Sequence, residues 1–147
     1  MKRPIVSYLI IILILFVSFG ALFGGFSLIK DPTGNELKIP SNYLEDSFFN
    51  NYFYPGLILF FIIGIFPLFL VYGLIDKKSL KFLNFLKFYS DFSWQLNFLI
   101  YYSLALIIWI DVQIIFVPYF FLQPVISLIG VIILFLSLFP SIREYYK

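Results

Sequence analysis

The chain has 147 residues, of which 62% are hydrophobic and only 12% are charged, with a formal net charge of +2. This composition lies outside the range of soluble domains, and a soluble fold of this length has no interior large enough for 21 phenylalanines. The small charge excludes the basic surface that nucleic-acid binding needs. Because Cys and His are absent, we expect no disulfide, no thiolate or imidazole metal site, no His-dependent triad and no cofactor.

The first apolar run covers 5–29, contains no charged residue and follows Lys2 and Arg3. A basic start before an apolar run is also typical of a signal peptide, in which Gly20 and Ala21 would offer small residues for cleavage. However, the apolar part of a signal peptide has about 7 to 15 residues, and this run is far longer. The pattern therefore favours a retained membrane-spanning helix.

Three further apolar runs are long enough for spans, since a helix needs about 20 residues to cross a bilayer. They cover about 55–75, where Pro67 predicts a kink, then 92–117 and 120–139. In the last run, residues 125–139 alone would extend only about 22 Å, so 120–123 must also lie at membrane depth. The third and fourth spans are therefore expected to form a tight antiparallel hairpin.

Lysine and arginine predict the orientation, because cytoplasmic loops carry an excess of both. Most lie on one side of the predicted spans: Lys2, Arg3, Lys77, Lys78, Lys81, Lys87, Arg143 and Lys147. Only Lys30 and Lys38 lie on the other side, in a loop that is net acidic. We therefore predict an all-α fold, a four-helix transmembrane bundle that forms one domain over 1–147. It is a multi-pass protein of the cell membrane with both termini in the cytoplasm, an outer loop over 30–51 and a basic cytoplasmic loop over 76–91.

The outer loop opens with a dense turn signal over 31–35, in which Pro32 presets φ and Gly34 can adopt a positive φ. Pro40 and Ser41 then predict the start of a short helix over 42–46, with Ser41 as its cap. We interpret this loop as a lid on the lipid headgroups. A recognition loop for a partner or an extracellular ligand is the alternative.

The basic cytoplasmic loop places lysines on one helical face and leucines on another, which suits a segment that lies in the membrane interface. The candidate headgroup contacts are Lys77, Lys78, Lys81 and Lys87. The orientation rule alone would also place lysines here. Orientation and lipid binding therefore both remain open as explanations.

The third span contains most of the polar side chains, which are expensive in a bilayer and therefore indicate function or helix association. They occupy two opposite faces, so we expect this span to be central or to contact a second protomer. Asp111 lies about 25 Å beyond Trp94, just beneath the outer surface. A salt bridge from Asp111 to an outer lysine is the favoured interpretation, with proton coupling or a ligand site as the alternative. The candidate polar cluster comprises Asp111, Gln113, Gln123, Lys30 and Lys38.

Four residues are candidates for packing between helices. Gly20 and Gly24 form a Gly-x-x-x-Gly motif, which permits close approach of two helices. Asn97 and Tyr101 lie on one face of the third span at helical spacing. We favour packing within the bundle for the two glycines, with dimerisation as the alternative, and expect Asn97 and Tyr101 to pack against a helix of the bundle or of a second protomer.

Short motifs over most of the chain resemble a widespread group of uncharacterised, small, four-span prokaryotic membrane proteins with an Asp-Pro-Ser/Thr-Gly turn after the first span. They are Gly24-Gly25, Asp31-Pro32-Thr33-Gly34, Pro40, Phe49, Tyr52, Pro55-Gly56, Trp109-Ile110-Asp111-Val112-Gln113 and Leu122-Gln123-Pro124. The resemblance implies four spans. It implies no reaction and supplies no catalytic residue.

Three functions are consistent with this sequence. The favoured one is a non-enzymatic structural or accessory subunit whose third span and outer loop bind a membrane-protein partner or a second copy. The alternative is a small transporter or channel component with an outer vestibule around Asp111. An intramembrane enzyme is least favoured, because Asp111 is the one acid well inside a predicted span and aspartyl proteolysis needs two.

Overall fold

In a computed structural model, the chain is described over 2–45, 47–77, 81–88 and 90–147, with only the backbone at 81, 82 and 84. The described residues form helices and loops and contain no strand. The helices are α1 (Ile5–Lys30), α2 (Phe53–Asp76), α3 (Trp94–Phe116), α4 (Leu122–Ser137) and α5 (Pro140–Tyr145). Short 3₁₀ turns lie at Ser41–Leu44 and Lys81–Leu86. The fold is therefore all-α, as predicted.

Helices α1, α2 and α3 are long and apolar enough to cross a membrane, and α4 is a shorter apolar helix of 16 residues. Within the predicted fourth run over 120–139, the helix covers Leu122–Ser137. At its start, the Phe120 backbone N–H donates to the Gln123 side chain at 3.1 Å, which forms a turn before the helix. At its end, Phe139 has an extended backbone, and Pro140 begins α5.

The helices run up and down along the bundle. Gln95, at the start of α3, donates to the carbonyl of Gly73 near the end of α2, and the last residue of α3, Phe116, contacts the outer-loop residue Phe48. Helix α4 then runs back in the opposite direction. Beyond α5, the Tyr146 hydroxyl forms a hydrogen bond with Ser7 of α1. The described residues before α1, those after α5 and the described residues between 77 and 93 therefore lie at one end, here called the basic end. The 31–52 loop lies at the other, the loop end.

The core runs along the bundle axis between α1, α2, α3 and α4. Its fully enclosed side chains include Ile10, Ile14, Leu70, Leu74, Leu99, Tyr102, Leu106 and Ile133. Large apolar side chains also cover the outside, among them Phe16, Phe19, Phe23 and Phe26 of α1. An exterior this apolar is explained by lipid contact, because in water it would be a large aggregating patch.

Glycines allow α1 and α2 to approach closely, although not the pair that we predicted. A Cβ at Gly25 would lie 2.7 Å from the backbone nitrogen of Phe60, and one at Gly56 would lie 2.9 Å from the Cβ of Leu28. Gly24 allows an ordinary contact, and Gly20 has no neighbour within 4 Å of a built Cβ. Gly20 therefore has no close helix contact within the described chain, unlike Gly25 and Gly56.

Helix α2 contains a π-helical stretch over Leu59–Ile65, just before Pro67, and the kink predicted at Pro67 stays a prediction. The Phe66 backbone N–H donates to the carbonyl of Phe61, five residues back, so this hydrogen bond spans one residue more than in an α-helix and the turn is wider. Pro67 follows near the start of the next α-helical segment, where its missing N–H is least disruptive. The widened turn lies where α2 packs on α1.

Replacing Gly25 by Ala should lower the stability of the bundle by about 1–3 kcal/mol, because the new methyl group collides with backbone atoms that cannot move independently. Gly20→Ala is the matched control in the same helix, and it should be neutral or stabilising by up to about 1 kcal/mol through helix propensity. Unfolding midpoints in a mild detergent titrated with a denaturing one would compare them. Equal midpoints for the two variants would contradict the close approach at Gly25.

Candidate functional site

The polar cluster predicted at the loop end is not assembled in the structure. Lys30 forms an ion pair with Glu36 at 3.3 Å, whereas Asp111 is exposed and has no hydrogen bond or ion pair among the described residues. Gln113 is half-buried, and Gln123 is fully buried with its side-chain oxygen bonded to Phe120. The expected salt bridge from Asp111 to Lys30 or Lys38 is therefore not formed, and Lys30 forms its ion pair with Glu36 instead.

Asp111 lies instead within an exposed apolar stripe on α3. The stripe consists of Leu104, Ile108, Asp111, Val112 and Ile115. Their spacing of three and four residues places them on one side of the helix. The opposite side, with Gln95, Tyr102 and Leu106, is buried inside the bundle. Of the two polar faces predicted for this span, the one with Gln95 and Tyr102 is therefore buried in the bundle core. The other is exposed on the outside of the bundle around Asp111.

The outer loop is organised by the carboxylate of Asp31. It accepts hydrogen bonds from the Thr33 hydroxyl, from the Thr33 backbone N–H at 3.2 Å and from the Glu36 backbone N–H at 2.8 Å. The Thr33 hydroxyl first, and then the Glu36 N–H, lower the pKa of Asp31 below its usual value. Gly34 adopts φ +81°, so the turn signal at 31–35 is confirmed as a local structure.

Tyr52 is hydrogen-bonded to two separate parts of the outer loop. Its hydroxyl donates to the Pro40 carbonyl at 2.7 Å, and its backbone N–H donates to the Pro32 carbonyl at 2.9 Å. Burial raises the pKa of its phenol. The ring packs with Leu28 and Leu44 in a small apolar cluster separate from the main core. The predicted helix over 42–46 is only the 3₁₀ turn Ser41–Leu44, and Asp46 lies outside the described residues.

The basic end is built around the last carbonyl groups of α2. The Gly73 carbonyl accepts from the Lys77 backbone N–H at 3.0 Å and, as a second donor, from the Gln95 side chain at 3.4 Å. The Leu74 carbonyl accepts from the Tyr146 hydroxyl at 3.0 Å, and the Ile75 carbonyl accepts from the Arg3 guanidinium at 2.7 Å. The end of a helix leaves such carbonyls without partners in the helix. Here side chains from α3 and from both terminal segments supply them.

Lysine, arginine and aromatic side chains pack closely beside these carbonyls. The Lys77 ammonium lies 3.6 Å from the ring centroid of Tyr145, and the Arg143 guanidinium lies 4.8 Å from that of Phe92. Such cation–π contacts favour one position of side chains that are otherwise mobile.

Among the predicted headgroup contacts, the structure describes the side chains of Lys77 and Lys87. Those of Lys78 and Lys81 lie outside the described part.

Asn97 and Tyr101, predicted to pack between helices, bind the loop that leads into α3. The Tyr101 hydroxyl donates to the Leu86 carbonyl at 2.7 Å and accepts from the Phe88 N–H at 2.8 Å. The Asn97 amide donates to the Ser93 carbonyl at 3.1 Å. These bonds hold the 86–93 segment against the bundle.

A cleft of about 250 Å³ opens at the basic end beside this segment. Three lysines line it, Lys77, Lys87 and Lys147, together with Ser90, Asp91, Ser93 and the start of α3. A neighbouring cleft carries Arg143 and Lys147 but also Asp91 and Glu144, so its formal charges balance. The sequence placed the lysines on one side of the membrane but contained no pattern that brings residues 77, 87 and 147 together.

No protein-family model, curated protein or solved structure matches the chain. The resemblance to small four-span prokaryotic membrane proteins therefore stays a prediction. The arguments about function below depend on the geometry of the chain itself.

The outer loop should loosen in acid. Because the folded pKa of Asp31 lies below the unfolded value of about 3.9, its stabilisation is present above that value and is lost as pH falls through the folded pKa. Amide hydrogen exchange at Glu36, corrected for the intrinsic rate at each pH, should show protection that decreases in this range. Asp31→Asn is the control, since an amide nitrogen cannot accept from Glu36. A pH dependence that persists in Asp31→Asn would contradict this assignment.

Proposed function

We propose that the protein is a non-enzymatic integral membrane subunit that binds another membrane protein through the exposed stripe of α3 around Asp111. It would cross the bilayer four times, with both termini and the basic end in the cytoplasm. The observation that supports this proposal best is the position of Asp111. Its carboxylate lies on an outward apolar surface that would otherwise contact lipid.

A bare carboxylate on such a surface is unfavourable. An Asp near the middle of a membrane helix costs roughly 2.5–3.5 kcal/mol, and Asp111 lies about 7.5 Å below the end of α3, where the cost is smaller but persists. The chain leaves this cost uncompensated, because Asp111 has no partner among the described residues while Lys30 bonds with Glu36. A helix that covers the stripe and offers a cation or a hydrogen-bond donor would remove it.

The geometry favours a different protein over a second copy. Two identical chains in one membrane associate about an axis along the membrane normal, so equivalent residues lie at equal depth. A symmetric contact through the stripe would therefore bring two Asp111 carboxylates together, and like charges in a low dielectric repel. We accordingly expect the partner to present Lys, Arg or an amide or hydroxyl group at this depth.

A transport role would need several polar groups around one vestibule. The residues available for it have different surroundings: Asp111 is exposed, Gln113 is half-buried and Gln123 is fully enclosed. The Gln123 side-chain oxygen is already bonded to the Phe120 backbone. These positions support the alternative of a transporter or channel component less well than they support a binding surface.

The number of spans can be tested with single cysteines, since the native chain contains none. Asn35→Cys, in the outer loop, should react with an impermeant thiol reagent added to intact cells. Ser90→Cys and Ser141→Cys should react only after the cells are opened. Ser141 is the critical position, because labelling from outside would mean that α4 does not cross the membrane. Outside labelling of Ser90→Cys would instead reverse the proposed orientation.

The binding surface can be tested by placing a photo-crosslinking residue at Ile108, which is 60% exposed beside Asp111. In the membranes of its own host, Ile108 should crosslink to one protein, and Asp111→Leu should reduce the yield several-fold. Ile12, which is 61% exposed on α1, is the matched control and should crosslink mainly to lipid.

Lipid adducts alone at both positions would contradict the proposal. Disulfide-linked dimers of Ile108→Cys would identify the partner as a second copy and would contradict the charge argument.

A further inference from the structure

We infer that the cleft at the basic end binds a phosphate group, and that the headgroup of an anionic membrane lipid supplies it. The site is separate from the α3 stripe, since the two lie toward opposite ends of α3. The observation is the convergence of Lys77, Lys87 and Lys147 on one cleft from three different segments of the chain. Asp91 also lines the cleft, so among the described side chains three lysines face one carboxylate.

Two of the lysines are held by their surroundings. Lys77 has φ +55°, and its ammonium is fixed over the Tyr145 ring at 3.6 Å. Lys87 is half-buried, in the segment that Tyr101 holds through Leu86 and Phe88. The ammonium of Lys77 and the backbone that carries Lys87 are therefore positioned before a ligand arrives, which reduces the entropy cost of binding.

The cleft also contains the start of α3, a helix of 23 residues. The N-terminal end of a long helix is the positive end of its dipole. Ser93, which caps this helix, accepts a hydrogen bond from the Leu96 N–H through its hydroxyl oxygen. Its hydroxyl proton remains able to donate to a ligand oxygen. Several cationic and neutral donors around one cleft match the acceptor oxygens of a phosphate.

The surroundings favour a lipid as the source of this phosphate. Phe85 and Phe88 flank Lys87 and are 79% and 78% exposed. A segment with outward aromatic rings and a basic residue is typical of a chain that lies in the membrane interface. Exposed rings next to Lys87 in the chain could contact the acyl chains of a lipid whose headgroup enters the cleft. A free phosphate ion would make no use of them.

The test is a titration of the full chain in detergent with three probes: short-chain phosphatidylglycerol, phosphatidylcholine with the same acyl chains, and inorganic phosphate. We expect saturable binding of phosphatidylglycerol that Lys87→Gln with Lys147→Gln weakens by about tenfold or more. The charge-matched control, Lys2→Gln with Lys38→Gln, removes two lysines outside the cleft and should bind like the parent. Lys87→Arg with Lys147→Arg should retain most of the affinity, because both positive charges are kept.

Three results would overturn the inference. The first is equal weakening by the cleft pair and the control pair, which indicates general surface charge. The second is binding of phosphatidylcholine that is as tight as that of phosphatidylglycerol. The third is the lack of saturable binding of both phosphatidylglycerol and inorganic phosphate. Saturable binding of inorganic phosphate that is as tight as that of phosphatidylglycerol and equally dependent on Lys87 and Lys147 would support the phosphate site. It would overturn the assignment of a lipid as its source.

Discussion

The arrangement of the basic end depends on the last carbonyl groups of α2. A helix leaves its last carbonyls without partners inside the helix, so donors from elsewhere must bond to them. The Leu74 and Ile75 carbonyls accept from the Tyr146 and Arg3 side chains. The Gly73 carbonyl accepts from the Gln95 side chain in addition to the Lys77 N–H. Each side-chain donor comes from a different part of the chain. Satisfying one helix end therefore brings the first residues, the start of α3 and the last residues to the same place, and this convergence also forms the lysine-lined cleft.

The two ends of the bundle use different interactions. The loop end is held by local bonds, in which Asp31 binds amides two and five residues ahead and Tyr52 closes the loop by bonding to Pro32 and Pro40. The basic end is held by contacts between distant segments, such as Ser7 with Tyr146. Local bonds allow the outer loop to open without disturbing the helices. Opening the basic end would separate α1, α2 and the C-terminal segment, so we expect it to be the more rigid end.

This difference explains what the sequence could predict. Helices α1 to α3 follow from apolar runs of about 20 residues, and the turn at Asp31 follows from residue preferences within a few positions. The Ser7–Tyr146 contact joins residues 139 apart, and no local pattern indicates such a pair. The expected bridge from Asp111 to Lys30 failed for a related reason. It was inferred from the scarcity of outer cations and overlooked Glu36, which is six residues from Lys30 and already placed beside it by the turn.

Asp111 and the lysines of the cleft are charged groups in different surroundings. The lysines lie at the end of the bundle, where lipid headgroups or water can neutralise them, so the chain can keep them without a protein partner. Asp111 lies part-way into an apolar helix face, and its short side chain reaches less far toward the interface than a lysine does. No described residue of the chain compensates its charge there. A charge that the fold leaves exposed at such a position is better explained by a contact with another membrane helix than by stabilisation of the bundle itself.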